Sequence, residues 1–174
     1  MAMGEGAQRV ALVAAAACTA AALYGVPSWE LNVRVLAFLA AGATIVLLAL
    51  TRLAGPAGVA VERAFIALFL AGMPVVYVVS WMTHGTGGAW LAVELLGLLL
   101  YGGLAVAGWR HAPWLLAAGV AAHGIAWDAW HLAGSSYMPH WYALGCLIID
   151  VGLAAYVSTR VATWRAVPPV SSRS

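Results

Sequence analysis

The chain has 174 residues, 64% of them hydrophobic and only 8% charged, with a formal net charge of +2. A soluble domain carries about 25% charged residues, so this chain lacks the charge to cover a water-facing surface and its solvent is expected to be lipid. All of the positive charge is arginine: lysine is absent, which excludes a retinal or pyridoxal Schiff base and any lysine nucleophile. The two cysteines, Cys18 and Cys146, sit in separate apolar runs with no CxxC spacing. They read as small buried residues rather than as a redox or metal pair.

A membrane-spanning helix needs roughly 20 apolar residues. Six segments qualify, at about 10–26, 35–53, 60–82, 89–108, 113–133 and 141–162. All are expected to be helical, because a bilayer core offers no water to unpaired backbone groups. The fold class read from the sequence is therefore an all-α integral membrane protein of six short-looped spans. They form one domain over 1–166, followed by a Pro/Ser-rich, disordered tail at 167–174. Breakers punctuate the spans: Gly25-Val26-Pro27, Gly55-Pro56, Gly85-Thr86-Gly87-Gly88, Pro113 and Pro139. Pro74 falls inside the third span and is expected to kink it. A competing reading takes Arg9 and "VALVAAAACTAAAL" as a signal peptide, which would leave five spans.

The arginines orient the bundle. With six spans, Arg9, Arg52, Arg63, Arg110, Arg160, Arg165 and Arg173 fall on one side, and only Arg34, beside Glu30, on the other. The positive-inside rule then places both termini in the cytoplasm, as in a multi-pass protein of the inner (plasma) membrane. Trp29, Trp81, Trp90 and Trp141 ring the outer interface, and Trp109, Trp114 and Trp164 the inner one. Trp127 and Trp130 lie outside these belts, in the stretch "HGIAWDAWH" of residues 123–131.

Ionisable groups within spans cost about 2.5–3.5 kcal/mol each and normally face the bundle interior. Here they are confined to the last three spans: Glu94, His123, Asp128, His131 and Asp150, whereas Glu62 and Arg63 fall at an inner end. At about 1.5 Å rise per residue, Glu94 and Asp128 lie roughly 8 Å below the outer end, and His123 and Asp150 near the midplane. Tyr77 matches the outer layer. Helical phase puts His123, Trp127 and His131 on one stripe, with Asp128 about 60° from His131. Tyr142, Cys146 and Asp150 form a matching stripe; Glu94 shares a face with Tyr101, and Tyr77 with Trp81 and His84. Small residues, among them Gly97, Gly119, Gly124 and Gly145, permit close helix packing.

Two foci of chemistry follow. Asp128 and His131, at i and i+3, can reach one ion, with Glu94, His140 or His84 completing the shell; such donors suit zinc, iron or manganese. His123 beside Asp150 has the form of a general base or proton relay, since a carboxylate fixes the imidazole tautomer and raises its basicity. The catalytic candidates are thus His123, Asp150, Glu94 and Asp128. The candidate metal ligands are Asp128, His131 and Glu94. Trp127, Tyr77 and Tyr101 are the candidates to line a small-molecule or cofactor site. Haem with two histidine ligands is disfavoured, because no second histidine shares the depth of His123. There is no phosphate-binding loop, Ser-His-Asp order or nucleic-acid footprint.

The first functional expectation is an intramembrane enzyme with an outward-facing His/Asp/Glu pocket, acting on a lipid or apolar small molecule by acid–base or metal-assisted chemistry. The second comes from a resemblance. The six-helix plan with both ends inside, the modest length and the aromatic-rich outer end resemble the substrate-binding subunits of energy-coupling-factor vitamin transporters. The first span, with Ala11 and Ala15 at four-residue spacing, is similar to the small-residue face such subunits present to a partner. That resemblance implies a bound vitamin and a membrane partner subunit. A third reading is an accessory subunit or homo-oligomer in which the polar groups only specify helix packing.

Overall fold

The computed structural model describes residues 55–166, so the expected spans at 10–26 and 35–53, the signal-peptide alternative, Cys18 and the tail lie outside the described residues. The described residues are helical apart from short connections at 85–87, 111–113 and 135–139, with no strand among them. It comprises α1 (Gly55–His84), α2 (Gly88–Arg110), α3 (Trp114–Ala122), a π-helical turn (His123–Asp128), α4 (Ala129–Gly134) and α5 (His140–Ala166). The helices α1, α2 and α5, of 30, 23 and 27 residues, are long and apolar enough to cross a membrane. A helix of 23 residues is about 35 Å long, enough to cross a hydrocarbon core of about 30 Å.

Local chemistry sets the boundaries. Pro56 sits in the first turn of α1, where its missing N–H has no intrahelical partner to lose. Pro74 lies inside α1, which continues through it. Gly87, at the start of α2, has φ 91°, a backbone conformation that a side chain would resist. Pro113 caps α3, and Pro139 accepts the first bonds of α5 from Tyr142 and Ala143.

The helices pack as a bundle in which α1 lies along α2, and α3 and the π turn lie along α5. Glycine permits two further approaches, of α3 to α1 and of α2 to α3. A β-carbon on Gly119 would stand 2.6 Å from Leu70 Cδ2, and one on Gly108 would stand 2.7 Å from Leu116 Cγ. Ile66, Leu70, Leu116, Val120, Val157 and Trp164 fill the core between them.

The solvent is legible in what faces outward. Leu68 and Leu99 are each 73% exposed, and Leu96, Met82, Ile125 and Val151 also face outward. Glu62, Glu94, His123, Asp128, His131, Asp150 and Arg160 are buried. A polar interior inside an apolar exterior is stable in lipid and not in water. Together with the three spanning helices, it marks the chain as a membrane protein.

One end of the bundle is tied by charge. Glu62 of α1 accepts from Arg160 Nε at 2.9 Å, Arg160 Nη2 at 3.1 Å and Trp164 Nε1 at 2.8 Å, and also from Tyr156 Oη. Arg63 Nη2 donates to the Gly108 carbonyl of α2 at 3.0 Å. Arg63, Arg110, Arg160 and Arg165 thus gather at one end, but Arg63 and Arg160 are each only 5% exposed. Those two arginines hold helices together rather than presenting free charge to headgroups. Trp164, expected in the inner aromatic belt, is likewise buried, because its indole N–H is committed to Glu62.

Candidate functional site

The other half of the interior holds a buried polar array contributed by α1, α2, the π turn, α4, α5 and the loop at 135–139. Its organising element is the π turn, which covers "HGIAWD". In an α-helix, residues five apart are separated by about 140° around the axis. Bonding from i to i+5 stacks them instead. His123 and Asp128 begin and end this turn, so they face the same neighbours.

The deeper cluster follows from that. His123 Nδ1 lies 2.8 Å from Asp150 Oδ2 and 3.4 Å from Asp128 Oδ1. Tyr77 Oη donates to Asp128 Oδ1 at 2.6 Å. One donor atom each from His123, Asp128 and Asp150 falls within 4.8 Å of the others, and all three residues are buried. Gly124 allows α5 to come this close: a β-carbon there would stand 2.7 Å from Asp150 Cβ and 3.4 Å from the Leu147 carbonyl. His123 Nε2 and Asp128 Oδ2 are buried without a hydrogen-bond partner.

The second cluster lies beside it. His131 Nε2 is 2.7 Å from Glu94 Oε1 and 3.2 Å from Tyr137 Oη, and Tyr137 Oη donates to Glu94 Oε1. His131 Nδ1 is 2.8 Å from the Trp127 carbonyl. A carbonyl can only accept, so Nδ1 carries a proton. The Nε2···Oε1 contact therefore holds one further proton, on the imidazole or on the carboxyl group. Glu94 Oε2 is buried without a partner.

The grouping of Asp128 with His131 toward one ion rests on continuous α-helical phase, whereas the contacts of Asp128 are to another set of residues. The π turn brings Asp128 into the company of His123, Tyr77 and Asp150. His84 and His140, candidates to complete a shell, are exposed and belong to neither cluster; His84 Nδ1 contacts its neighbour Thr83 Oγ1 at 2.7 Å.

Aromatic rings wall the array. The Tyr77 ring lies between the clusters, 4.3 Å from the His131 ring and 5.9 Å from that of His123, centroid to centroid. Tyr101 meets His123 edge-on at 4.9 Å and Trp127 at 5.6 Å. Trp127 packs directly over Gly97, where a β-carbon would collide with its indole ring. Toward the loop end, Trp90 contacts Trp130 at 5.0 Å, Tyr137 at 5.5 Å and His131 at 5.8 Å.

Two participants escape sequence reasoning. Tyr137 lies in a loop, where nothing in "SSYMPH" distinguishes a buried hydroxyl from an exposed one. It is 4% exposed, and Ser80 Oγ anchors its carbonyl to α1 at 2.9 Å. Burial, and then the Glu94 carboxylate beside it, push its hydroxyl well above the ordinary tyrosine range, so it stays a donor. Glu62 is the other. Its place near a helix start suggests a headgroup-level charge, and only the approach of α5 shows what it binds.

Comparison with protein-family models, with characterised proteins and with solved structures finds no match to this chain.

Proposed function

We propose that this protein is an intramembrane enzyme that transfers a proton on a lipid or other apolar small molecule. The observation that carries the reading is the Glu94–His131 contact. Because His131 Nδ1 is committed to the Trp127 carbonyl, the 2.7 Å bond at Nε2 holds one transferable proton. A general acid–base pair needs this arrangement: a proton with two neighbouring homes, away from water. Glu94 Oε2, unpartnered and buried, is the atom left to address a substrate. Tyr137 supports it by donating to Oε1, so that charge left on the carboxylate is stabilised.

The His123, Asp128 and Asp150 cluster supplies the second part of the reading, a polar corner that receives the substrate's polar group. Trp127, Tyr101 and Tyr77 form the apolar walls between the corners. In this reading the arginine-bearing end faces the cytoplasm of the inner membrane, and the buried array lies toward the opposite side.

The test is turnover. The full chain is reconstituted in vesicles of total bacterial lipid extract, in deuterated buffer, and lipids are followed by mass spectrometry. The expected result is deuterium uptake or a new product in one lipid class. Glu94→Gln and His131→Gln should each lower it by about 10²–10⁴-fold, the usual contribution of a positioned acid or base. No change in any species, or undiminished turnover in both variants, overturns the reading.

A second reading has one observation in its favour. Trp90, Trp130 and Trp127 crowd around His131, which also suits holding a flat apolar solute for a transport partner. Release of an unchanged small molecule from the purified protein, without turnover, would support that reading.

A further inference from the structure

The deeper cluster is incomplete as a set of protein groups. Two carboxylates, Asp128 and Asp150, converge on His123 Nδ1 at 3.4 Å and 2.8 Å, and one ring nitrogen has a single proton to offer them. Tyr77 satisfies only one oxygen of Asp128. Asp128 Oδ2 and His123 Nε2 remain without partners, although Asp128 is 0% and His123 1% exposed. Buried polar groups in folded proteins are almost always paired, so the orphaned Asp128 Oδ2, on a carboxylate that faces His123 Nδ1, points to a missing occupant.

Charge identifies its class. Two carboxylates and a neutral imidazole balance a dication, whereas an imidazolium neutralises only one of them, and uncompensated charge is disfavoured in an apolar interior. The donor set agrees: one imidazole nitrogen with two carboxylate oxygens suits zinc, iron(II) or manganese(II). His123 Nδ1 lies 2.8 and 3.4 Å from the two carboxylates, and all three donor atoms fall within 4.8 Å of one another, near the spacing around an ion bonded at about 2.0–2.2 Å. Tyr77, donating to Asp128 Oδ1, orients that ligand from the outer shell.

We infer that His123, Asp128 and Asp150 form a binding site for one divalent transition-metal cation. Three protein ligands leave a coordination position open, the pattern of a catalytic rather than a structural site. The ion then polarises the substrate's polar group, while Glu94 and His131 handle the proton. The inference draws on the same buried array as the proposed reaction, but metal content is measured apart from turnover.

The full-length protein in detergent is stripped with chelator, reloaded separately with zinc, manganese or anaerobic iron(II), desalted and analysed by elemental mass spectrometry. The expected result is about one ion per chain for at least one metal. Asp128→Asn and Asp150→Asn, checked for wild-type helicity and a single size-exclusion peak, should lower affinity at least tenfold. Glu94→Gln should keep full stoichiometry, and Tyr77→Phe should keep the ion but bind it about 10–100-fold more weakly. Should the aspartate variants fail to fold, His123→Cys loaded with cobalt(II) serves instead, a sulfur-to-metal charge-transfer band being expected.

Wild type that retains none of the three metals overturns the inference, as does equal retention by the folded aspartate variants or a missing band in the cobalt-loaded cysteine variant. A bound ion without lipid turnover upholds the site and overturns the proposed reaction. Undiminished turnover in the stripped protein upholds the proposed reaction and overturns the part given to the ion in it, while metal content alone decides the binding site.

Discussion

Gly124 lies so close to Asp150 that a β-carbon built on it would stand 2.7 Å from the aspartate's own Cβ. The contact joins the π turn to α5 at the level of the deeper cluster, so the 2.8 Å spacing of His123 and Asp150 depends on it. Gly124→Ala should therefore force the two elements apart, at the cost of about 1–3 kcal/mol typical of overpacking. The thermal midpoint in detergent should fall and metal retention should weaken together. A variant with unchanged midpoint and unchanged retention would show that the close approach is not needed.

Tyr77 and Asp128 offer a cleaner test of the cluster's internal coupling. Their 2.6 Å bond crosses from α1 to the π turn and is buried on both sides. Tyr77→Phe should cost about 1.5–3 kcal/mol, the range for a hydrogen bond to a charged group. In a double-mutant cycle with Asp128→Asn, the combined loss should fall short of the sum of the single losses by about 0.5–3 kcal/mol. Strict additivity by chemical unfolding in detergent would mean the two residues act independently.

Glu62 and Arg160 stabilise the opposite end. Every Glu62 oxygen has partners, and Arg160 is buried against it. Glu62→Ala leaves an uncompensated buried guanidinium and should cost about 3–5 kcal/mol, whereas Glu62→Ala combined with Arg160→Met should recover much of that loss. The comparison is made by thermal unfolding, with metal content unchanged in the double variant. A double variant as unstable as the single one would contradict the pairing argument.

Tyr137 predicts an alkaline effect. Burial first, and the neighbouring Glu94 second, raise its hydroxyl above the ordinary value of 10.0. A group whose folded pKa is raised contributes stability that is fully present below its unfolded value and is lost as pH climbs beyond it. The stability advantage of wild type over Tyr137→Phe should accordingly hold constant from neutral pH to about 10, then shrink. Thermal midpoints of both proteins across that range check it. A gap that widens with alkali would contradict the sign.

The amino-acid sequence speaks most clearly about solvent and span. Hydrophobic runs at 60–82, 89–108 and 141–162 coincide with α1, α2 and α5 because a bilayer imposes one length and one secondary structure on any apolar stretch. The list of intramembrane ionisable residues from Glu94 to Asp150 was legible for the same reason: their desolvation cost sends them inward wherever they occur. Which of them meet was a different matter. The fifth expected span is divided into α3, the π turn and α4, and residue spacing assumes one uniform phase. A single wide turn brings Asp128 into the His123 group.

What the sequence determined by itself, then, was a lipid-solvated helical chain whose ionisable residues between Glu94 and Asp150 turn inward. Those properties depend on composition and length, which no folding changes. The tertiary structure decided the pairings: His131 with Glu94 and Tyr137, Asp128 with Tyr77 and His123, Glu62 with Arg160. Such contacts join residues from 5 to 98 positions apart, and they depend on helix phase and on glycine-permitted closeness. Neither is written in any local stretch of the chain.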